Sequence, residues 1–594
     1  MNDSPSTSFA RSLFFGEIRE EMVFPYPRLG PAEQGVVRRL LHRFQELARD
    51  TIDPRRMDAE GRIPAAVLDG LRALGFFGLS LPPAYGGAGL STTATCRLLQ
   101  EVAAADASLA TMLIAHLSLC AAAIVHFGSE AQKQRYLPRL ASGTALGAFA
   151  QTETQSGSDA AAIRTRAFPQ PGGGWLLQGS KLWVTNGALA DVFVLLAQTE
   201  VRRHGAQADR ITGFVAERGP GLRHGAEEPK LGVRACSTTA LYLDDLELPA
   251  EAVLGTVGGG FKVAMETISG AHLALAAAWV GMAREVLRLA VQHATSRRQF
   301  GRLLSTFGMI RDKLARMQID VYAAESMLYL TSGLLDQRRR PVDVSLESAC
   351  CKVFASETLW RVVHEAACIA GGASLMRDYP YERLLRDSRV GLFFGGTNEV
   401  LRCYIALTGM QGPGEQLARL AEAIKHPLRG YGLVVDTLLG QVRSAAYGGP
   451  VLSLHHGRLK KEAVAIEDSV EALQKGVDRV LRRHGRQISE MQYVQQRVAD
   501  VAIDLYAMVA CVSRCTAALH AHDARRAAGE GVEAAGEIDE AERELRLCHG
   551  FCGKAAERIR HRLERFNQND DELMKAIAAD SYHGRTYPLD APFD

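Results

Sequence analysis

The residue periodicity of this chain changes at three points, and those changes constrain its fold more than any other feature. From about Glu46 to Leu146 apolar residues recur at helical spacing, as at Leu68, Leu71, Leu74 and Phe77. From Gly147 the runs shorten to Gly174–Leu177, Phe193–Ala197, Ile211–Glu217 and Ala240–Asp244. Turn signals such as Gly172-Gly173-Gly174 and Gly219-Pro220-Gly221 separate them, which reads as strands. Helical spacing returns at Phe261, holds to about Met410, and resumes from about Lys460 to Ala578. Closely spaced strands without intervening helices predict a small barrel or sandwich, not βαβ units. The fold class is therefore α+β and mainly α.

With 594 residues the chain exceeds what one core supports, so several domains are expected. Residues 1–45 read as a loose N-terminal extension in which Pro25, Pro27 and Pro31 break any helix. A helical domain at 46–146, a β domain at 147–258 and a helical domain at 259–412 follow. Gly412-Pro413-Gly414 marks a boundary, and Pro427 with Gly448-Gly449-Pro450 brackets a connector. A further helical domain fills 440–594. Gly255-Thr-Val-Gly-Gly-Gly-Phe261 lacks the Lys-Ser/Thr of a phosphate loop and reads as a strand-to-helix turn.

Composition removes several function classes. Sixty-nine basic and 67 acidic residues leave a net charge of +2, with no global basic field for nucleic acid or an anionic membrane. Hydrophobic residues at 47% exclude a disordered chain. No apolar run reads as a membrane span; the longest candidate, Ala271–Met282, includes His272. No secretory or transit segment is legible, so the cell interior is the expected compartment. Eleven cysteines, with Cys511/Cys515 and Cys548/Cys552 one helical turn apart, read as small buried residues; no metal is expected.

A series of segments then resembles one family. Gln151-Thr-Glu-Thr-Gln-Ser-Gly-Ser-Asp159, Lys181-Leu-Trp-Val-Thr-Asn-Gly187, Lys230-Leu-Gly-Val-Arg234 and Val253-Leu-Gly255 come first. Arg297-Arg-Gln-Phe-Gly301, Tyr381-Glu-Arg-Leu-Leu-Arg-Asp387 and Gly396-Thr-Asn-Glu399 complete the order. Together they resemble the landmarks of the acyl-CoA dehydrogenases. Leu74-Gly-Phe-Phe-Gly78 and Tyr85-Gly-Gly87 agree. Chain length and the extra C-terminal helices are similar to the very-long-chain branch and its relative that helps assemble respiratory complex I. The resemblance implies a helical N-domain, a β-barrel, a four-helix C-domain and an appended helical domain. It also implies FAD, an acyl-CoA substrate and a homodimer whose subunits share each flavin site. Electrons would pass to an electron-transfer flavoprotein. The expected location is the cytoplasm, with peripheral inner-membrane contact through the C-terminal helices; a eukaryotic source would place the protein in mitochondria.

That family removes the α-proton of an acyl thioester with a carboxylate while hydride leaves the β-carbon. By resemblance, Gln151, Thr152, Ser158, Trp183, Val184 and Thr185 line the flavin, and Ser158, Ser269, His272 and Gly396 the substrate. Arg297 serves the partner's FAD, Gly371 and Gly372 belong to a flavin-pyrophosphate motif, and Thr397, Glu399 and Gln492 touch the cofactor. Arg386 and Asp387 are expected to form a structural ion pair.

The departures are as informative. The family's base is a Glu before a Gly-Thr; here Phe393-Phe394-Gly395-Gly396-Thr397 puts Gly395 in its place. The alternative base site reads Ala271-His272. Cys368-Ile-Ala-Gly-Gly-Ala-Ser374 keeps the double glycine of a flavin motif but not its Gln or last Gly, and Thr154 replaces a Pro. A volume vacated at Gly395 is expected to face His272, which is either a substitute base or a space-filler; Glu266 ranks lower. The chain is then an acyl-thioester dehydrogenase, a non-catalytic acyl-CoA- or FAD-binding partner, or a different flavin oxidase.

Overall fold

The computed structural model describes residues 8–203, 206–337, 342–425, 449–528 and 539–582. Pro427 and Gly448 fall outside them. Pro31 opens the helix Pro31–Thr51 instead of breaking one. Its missing N–H lies in the first turn, where no intrahelical acceptor exists. This corrects the expectation of a loose segment up to residue 45.

Ser91 caps the helix Thr92–Ala105 by accepting from the Ala94 N–H, and Glu33 accepts from the Ser91 N–H and hydroxyl. That helix crosses the long helix Gly260–Ser296 at Gly281. A Cβ there would lie 2.1 Å from the Gln100 carbonyl oxygen, so the crossing depends on glycine.

Eight strands form one sheet: β1 Gly147–Ala150, β2 Arg166–Pro169, β3 Trp175–Thr185, β4 Val192–Arg203, β5 Ala206–Glu217, β6 Leu222–Glu227, β7 Thr238–Leu248 and β8 Val253–Leu254. Their order is β6-β7-β3-β2-β4-β5-β8, and β1 pairs parallel to β4. The hydrogen-bonded path is open, ending at β6 and β8. Alternation along β4 and β5 gives the sheet two apolar faces. Phe193, Leu195, Phe214 and Ala216 fill its own core. Val192, Val194 and Val215 join the helical core. Asn186 ties the sheet to the N-terminal helices by donating to the carbonyls of Met112 and Gly147, both at 3.1 Å.

Gly260–Ser296, Gly308–Asp336, Ser345–Ala370 and Asn398–Lys425 make the second helical layer. Gly412-Pro413-Gly414 is not a boundary: Asn398–Lys425 runs through it. A Cβ at Gly412 would lie 2.4 Å from the Phe15 ring, and one at Gly409 2.2 Å from Phe14. These glycines seat two aromatic rings of the N-terminal segment. Beyond residue 449 come Lys460–His484, Gln492–Ala527, Glu540–Glu564 and Asp571–Tyr582.

Among the described residues three stretches are long and apolar enough to cross a membrane: Ala107–Phe127, Gly260–Ser296 and Gln492–Ala527. This corrects the reading that no run qualifies. Their most apolar windows are 78%, 72% and 83% buried inside the protein, so their apolarity serves the core. All eleven cysteines are free, and the described residues contain no metal-binding cluster.

Candidate active site

Two groups of the expected residues come together. The first is centred on the turn Gly395-Gly396-Thr397, which leads into Asn398–Lys425. Gly395 and Gly396 have φ of +71° and +98°, a left-handed path that glycine adopts without strain. His272, from Gly260–Ser296, is 4% exposed and its Nε2 lies 2.8 Å from the Gly395 carbonyl oxygen. Nε2 is therefore the protonated nitrogen. Nδ1 is buried and has no partner. Burial lowers the imidazole pKa to about 4, outweighing the bond to Gly395. Ser269 is half-buried on the same helix, and Glu266 is exposed in a pair with Lys262.

The expected vacancy at Gly395 is already claimed. A Cβ there would lie 2.6 Å from Leu275 Cδ1 and 3.9 Å from His272 Cδ2. Leu275 thus moves into the volume a larger residue would need.

Lys352 closes the turn from the other side. It is fully buried on Ser345–Ala370, donating to the Gly396 carbonyl at 2.7 Å and to Asn398 Oδ1 at 2.9 Å. Asn398 Nδ2 donates to Ser356 at 3.0 Å and Glu357 at 3.3 Å, which orients its amide. Burial lowers the Lys352 pKa to about 7, opposed by the charges of Glu399 and Glu357. Thr397 accepts from the Val400 N–H at 3.3 Å, and Glu399 is exposed in the first helical turn.

The second group lies on the sheet. The Leu182 N–H donates to the Thr152 carbonyl at 2.8 Å, bringing the segment after β1 against β3. Trp183 falls at a register break of β3 between Lys181 and Val184. It has φ of +54° and its side chain is 61% exposed. An exposed indole on a strained backbone marks a surface shaped for contact. Val184 is buried, Thr185 pairs with Thr238, and Ser158 is exposed. Gln151 Oε1 is buried without a partner. Beneath this segment Lys181 Nζ donates to Glu153 at 2.6 Å, both side chains being buried. Glu153 also accepts from the N–H groups of Arg164 and Thr165. Burial lowers the Lys181 pKa to about 8.

Other expected residues stand apart. Arg297 ends Gly260–Ser296, about 37 Å of helix axis from His272. It is exposed, with no ion pair among the described residues. Gly371 (φ +62°) and Gly372 form an exposed turn with open space where a Cβ would point. Gln492 is exposed at the start of Gln492–Ala527. Arg386 and Asp387 are both structural but do not pair with each other. Arg386 binds Asp58 and Glu382, while Asp387 binds Arg383 and accepts from the Val233 N–H at 2.6 Å.

Sequence reasoning missed Lys352, Asn398 and the Glu153–Lys181 pair. A lysine in the otherwise apolar run Ala349-Cys-Cys-Lys-Val-Phe-Ala355 was the available signal.

Residues 36–144, 148–246 and 258–409 match the N-terminal, middle and C-terminal domains of acyl-CoA dehydrogenase. Residues 457–587 match the ACAD9/ACADV C-terminal domain. The chain belongs to the acyl-CoA dehydrogenase family. It is 40% identical to the human mitochondrial very long-chain specific acyl-CoA dehydrogenase over 98% of this chain and 86% of that protein. A Bacillus subtilis acyl-CoA dehydrogenase is 36% identical over 63% of this chain and 97% of its own length. The structure of a Bacillus anthracis acyl-CoA dehydrogenase complexed with FAD superposes with a TM-score of 0.78 at 26% identity, covering 98% and 96% of the two chains.

Proposed function

We propose that this chain is an FAD-dependent flavoprotein that binds long-chain acyl thioesters and dehydrogenates them at the α,β-bond, with Gly395 where the family keeps its catalytic Glu. The observation that carries this is the His272 contact with the Gly395 carbonyl. It leaves Nδ1 as a bare, buried acceptor on the helix that packs against the Gly395 turn. Without a carboxylate we expect a rate lower by about 10²–10⁴ than with one.

The residues fit a flavin. Exposed Trp183, the unpaired Gln151 Oε1, the unfilled Gly371-Gly372 turn and the unpaired Arg297 are all surfaces lacking a counterpart. In this reading Thr152, Ser158, Trp183, Val184 and Thr185 hold the ring system, and Thr397 and Glu399 flank it. Arg297, Gly371, Gly372 and Gln492 hold the remainder, Arg297 reaching the partner subunit's cofactor. FAD supplies a hydride acceptor for the substrate β-carbon. The chain itself orients the thioester through Ser158, Ser269 and Gly396, excludes water with Leu275, and takes the α-proton at His272 Nδ1. Phe300, Met309, Leu375 and Met376 are 92%, 80%, 75% and 52% exposed near Arg297 or Gly371 in sequence, which supports a homodimer covering them. An electron-transfer flavoprotein is the proposed acceptor. Exposed Leu573, Met574 and Ile577 on Asp571–Tyr582 support a peripheral membrane contact, at the mitochondrial inner membrane in a eukaryote.

The test is to denature the purified protein, measure released flavin, and titrate the holoprotein anaerobically with acyl-CoAs of graded length. Bleaching by long chains supports dehydrogenation. A flavin-free protein that takes up no added FAD overturns the flavoprotein reading. Thioester binding without bleaching selects the second reading, a non-catalytic acyl-CoA- and FAD-binding partner. The absence of a carboxylate at both Gly395 and Ala271 favours that second reading.

A further inference from the structure

Residues 8–27 form a strap laid across the dehydrogenase body and the added helical domain. Phe9, Leu13, Phe14 and Val23 are fully buried along it. Phe14 and Phe15 seat on Gly409 and Gly412 of Asn398–Lys425, and Phe9 meets the Tyr506 ring of Gln492–Ala527 at 6.1 Å. The far end of the strap is held by ordinary hydrogen bonds. Glu20 accepts from the Ser453 hydroxyl at 2.6 Å and from the Ser453 and Leu454 N–H groups at 2.7 and 3.0 Å. Ser513 donates to the Val23 carbonyl, and Tyr26 donates to the Ser326 carbonyl at 2.9 Å.

The near end, the short helix Phe9–Leu13, is held differently. Its Ser8 hydroxyl and Ala10 N–H both donate to one oxygen of Glu347, on Ser345–Ala370, at 2.8 Å. The other carboxyl oxygen is buried without a partner. The strap's own cation does not reach it: Arg11 pairs with Asp343 at 3.2 Å. Of the other groups facing Glu347, Asp343 opposes its ionisation, while burial keeps the thiols of Cys350 and Cys351 and the phenol of Tyr506 neutral. A buried carboxylate with an empty oxygen and no cation is costly, so the closed arrangement favours the neutral acid. Burial accordingly raises the Glu347 pKa to about 7.

We propose that Phe9–Leu13 is a pH-operated latch: it stays closed on the neutral Glu347 carboxyl and opens when that carboxyl ionises, while Glu20, Ser513 and Tyr26 hold the rest of the strap in place. Opening admits water to Glu347, bares the Gly409–Gly412 face of Asn398–Lys425 and frees Phe9, Leu13 and Phe14 as an apolar arm. The direction follows from linkage. The open form has the ordinary value of 4.5 and the closed form about 7, so opening is favoured as pH rises through 7. Between pH 6 and pH 8.5 the open population should rise about tenfold. The latch does not depend on the flavin or thioester reading.

The experiment uses the full-length protein. No Lys or Arg precedes Arg11, so brief trypsin treatment that cuts there removes a fragment visible by intact mass. When reclosing outruns cleavage, the rate reports the open population. Dividing the parent's rate by that of Glu347→Gln at each pH cancels the protease's own pH dependence. The ratio is expected to rise about tenfold from pH 6 to pH 8.5. A ratio constant within twofold overturns the latch. Phe14→Ala should raise cleavage roughly tenfold or more at both pH values. Unchanged cleavage in that variant shows that the cut does not pass through strap opening, and also overturns it. If Glu347→Gln does not fold, amide hydrogen exchange on the parent decides. Protection of Phe9–Leu13 relative to Thr92–Ala105 is expected to fall about tenfold over the same range. Parallel behaviour of the two helices refutes the latch.

Discussion

His272 Nε2 sits 2.8 Å from the carbonyl oxygen of Gly395, so the imidazole is locked to the glycine turn that leads into Asn398–Lys425. The bond selects the tautomer and leaves Nδ1 with its lone pair free. Burial holds the folded-state pKa at about 4, below the unfolded value near 6.5. Between these values the unfolded chain binds the extra proton, so stability from this group rises with pH from 4 to 6.5. We expect flavin reduction by acyl-CoA to be flat above about pH 6 and to fall as pH approaches 4. His272→Ala should lower it at least tenfold. Unchanged reduction in that variant removes His272 from the chemistry.

Placing a carboxylate at position 395 requires more than one substitution. Gly395→Glu puts a side chain at φ +71° and a Cβ 2.6 Å from Leu275 Cδ1. Strain and overpacking together should destabilise the single variant by about 2–4 kcal/mol. The pair Gly395→Glu with Leu275→Ala opens the volume. We expect it to reduce flavin at least tenfold faster than the parent, measured in an anaerobic stopped-flow instrument. A double variant that folds, binds thioester and is no faster would show that a carboxylate at position 395 is not what limits the reaction.

The sequence carried the domain order because periodicity reports local burial, and helices and strands bury residues at different intervals. Gly395 and His272 were legible together because the family's landmarks fix their alignment. Leu275 was not, since nothing in a run of Ala and Leu tells which methyl group turns toward a vacancy. Lys352 was missed for the converse reason: its partners are a backbone carbonyl and an amide 44 and 46 residues away. Pro31 and Pro413 misled because proline's effect depends on position. At a first helical turn it costs nothing. At Pro413 the helix persists, with Gly409 and Gly412 seating Phe14 and Phe15.

The N-terminal helix is fastened by a single buried carboxyl. Glu347 Oε1 accepts from Ser8 Oγ and the Ala10 N–H, both at 2.8 Å, while Oε2 has no partner. Burial raises its pKa from 4.5 to about 7. The folded state thus binds the extra proton. Stability from this group is fully present below pH 4.5 and lost as pH rises through 7. Glu347→Gln keeps the acceptor and removes the titration. We expect the difference in melting temperature between variant and parent to grow in the variant's favour from pH 5 to pH 8. A constant difference would mean that Glu347 stays ionised throughout.

The Glu153–Lys181 pair is the internal anchor of the segment carrying Gln151, Thr152 and Ser158. Lys181 Nζ lies 2.6 Å from Glu153 and 3.4 Å from the Gln151 carbonyl. Glu153 in turn holds the N–H groups of Arg164 and Thr165, closing the loop at both ends. Removing one partner leaves the other charge buried alone, at a cost of about 3–5 kcal/mol. Lys181→Met should therefore destabilise by that amount in chemical unfolding. Because the loop lies against β3 beside Trp183, the same variant should purify with less FAD. Adding Glu153→Gln removes the stranded charge while keeping an acceptor for the loop N–H groups. The double variant should recover part of the stability and of the flavin content. If Lys181→Met unfolds at the parent's denaturant midpoint and keeps full flavin, the pair is not what holds the loop. If stability falls while flavin content does not, the loop is anchored there but does not form the cofactor site.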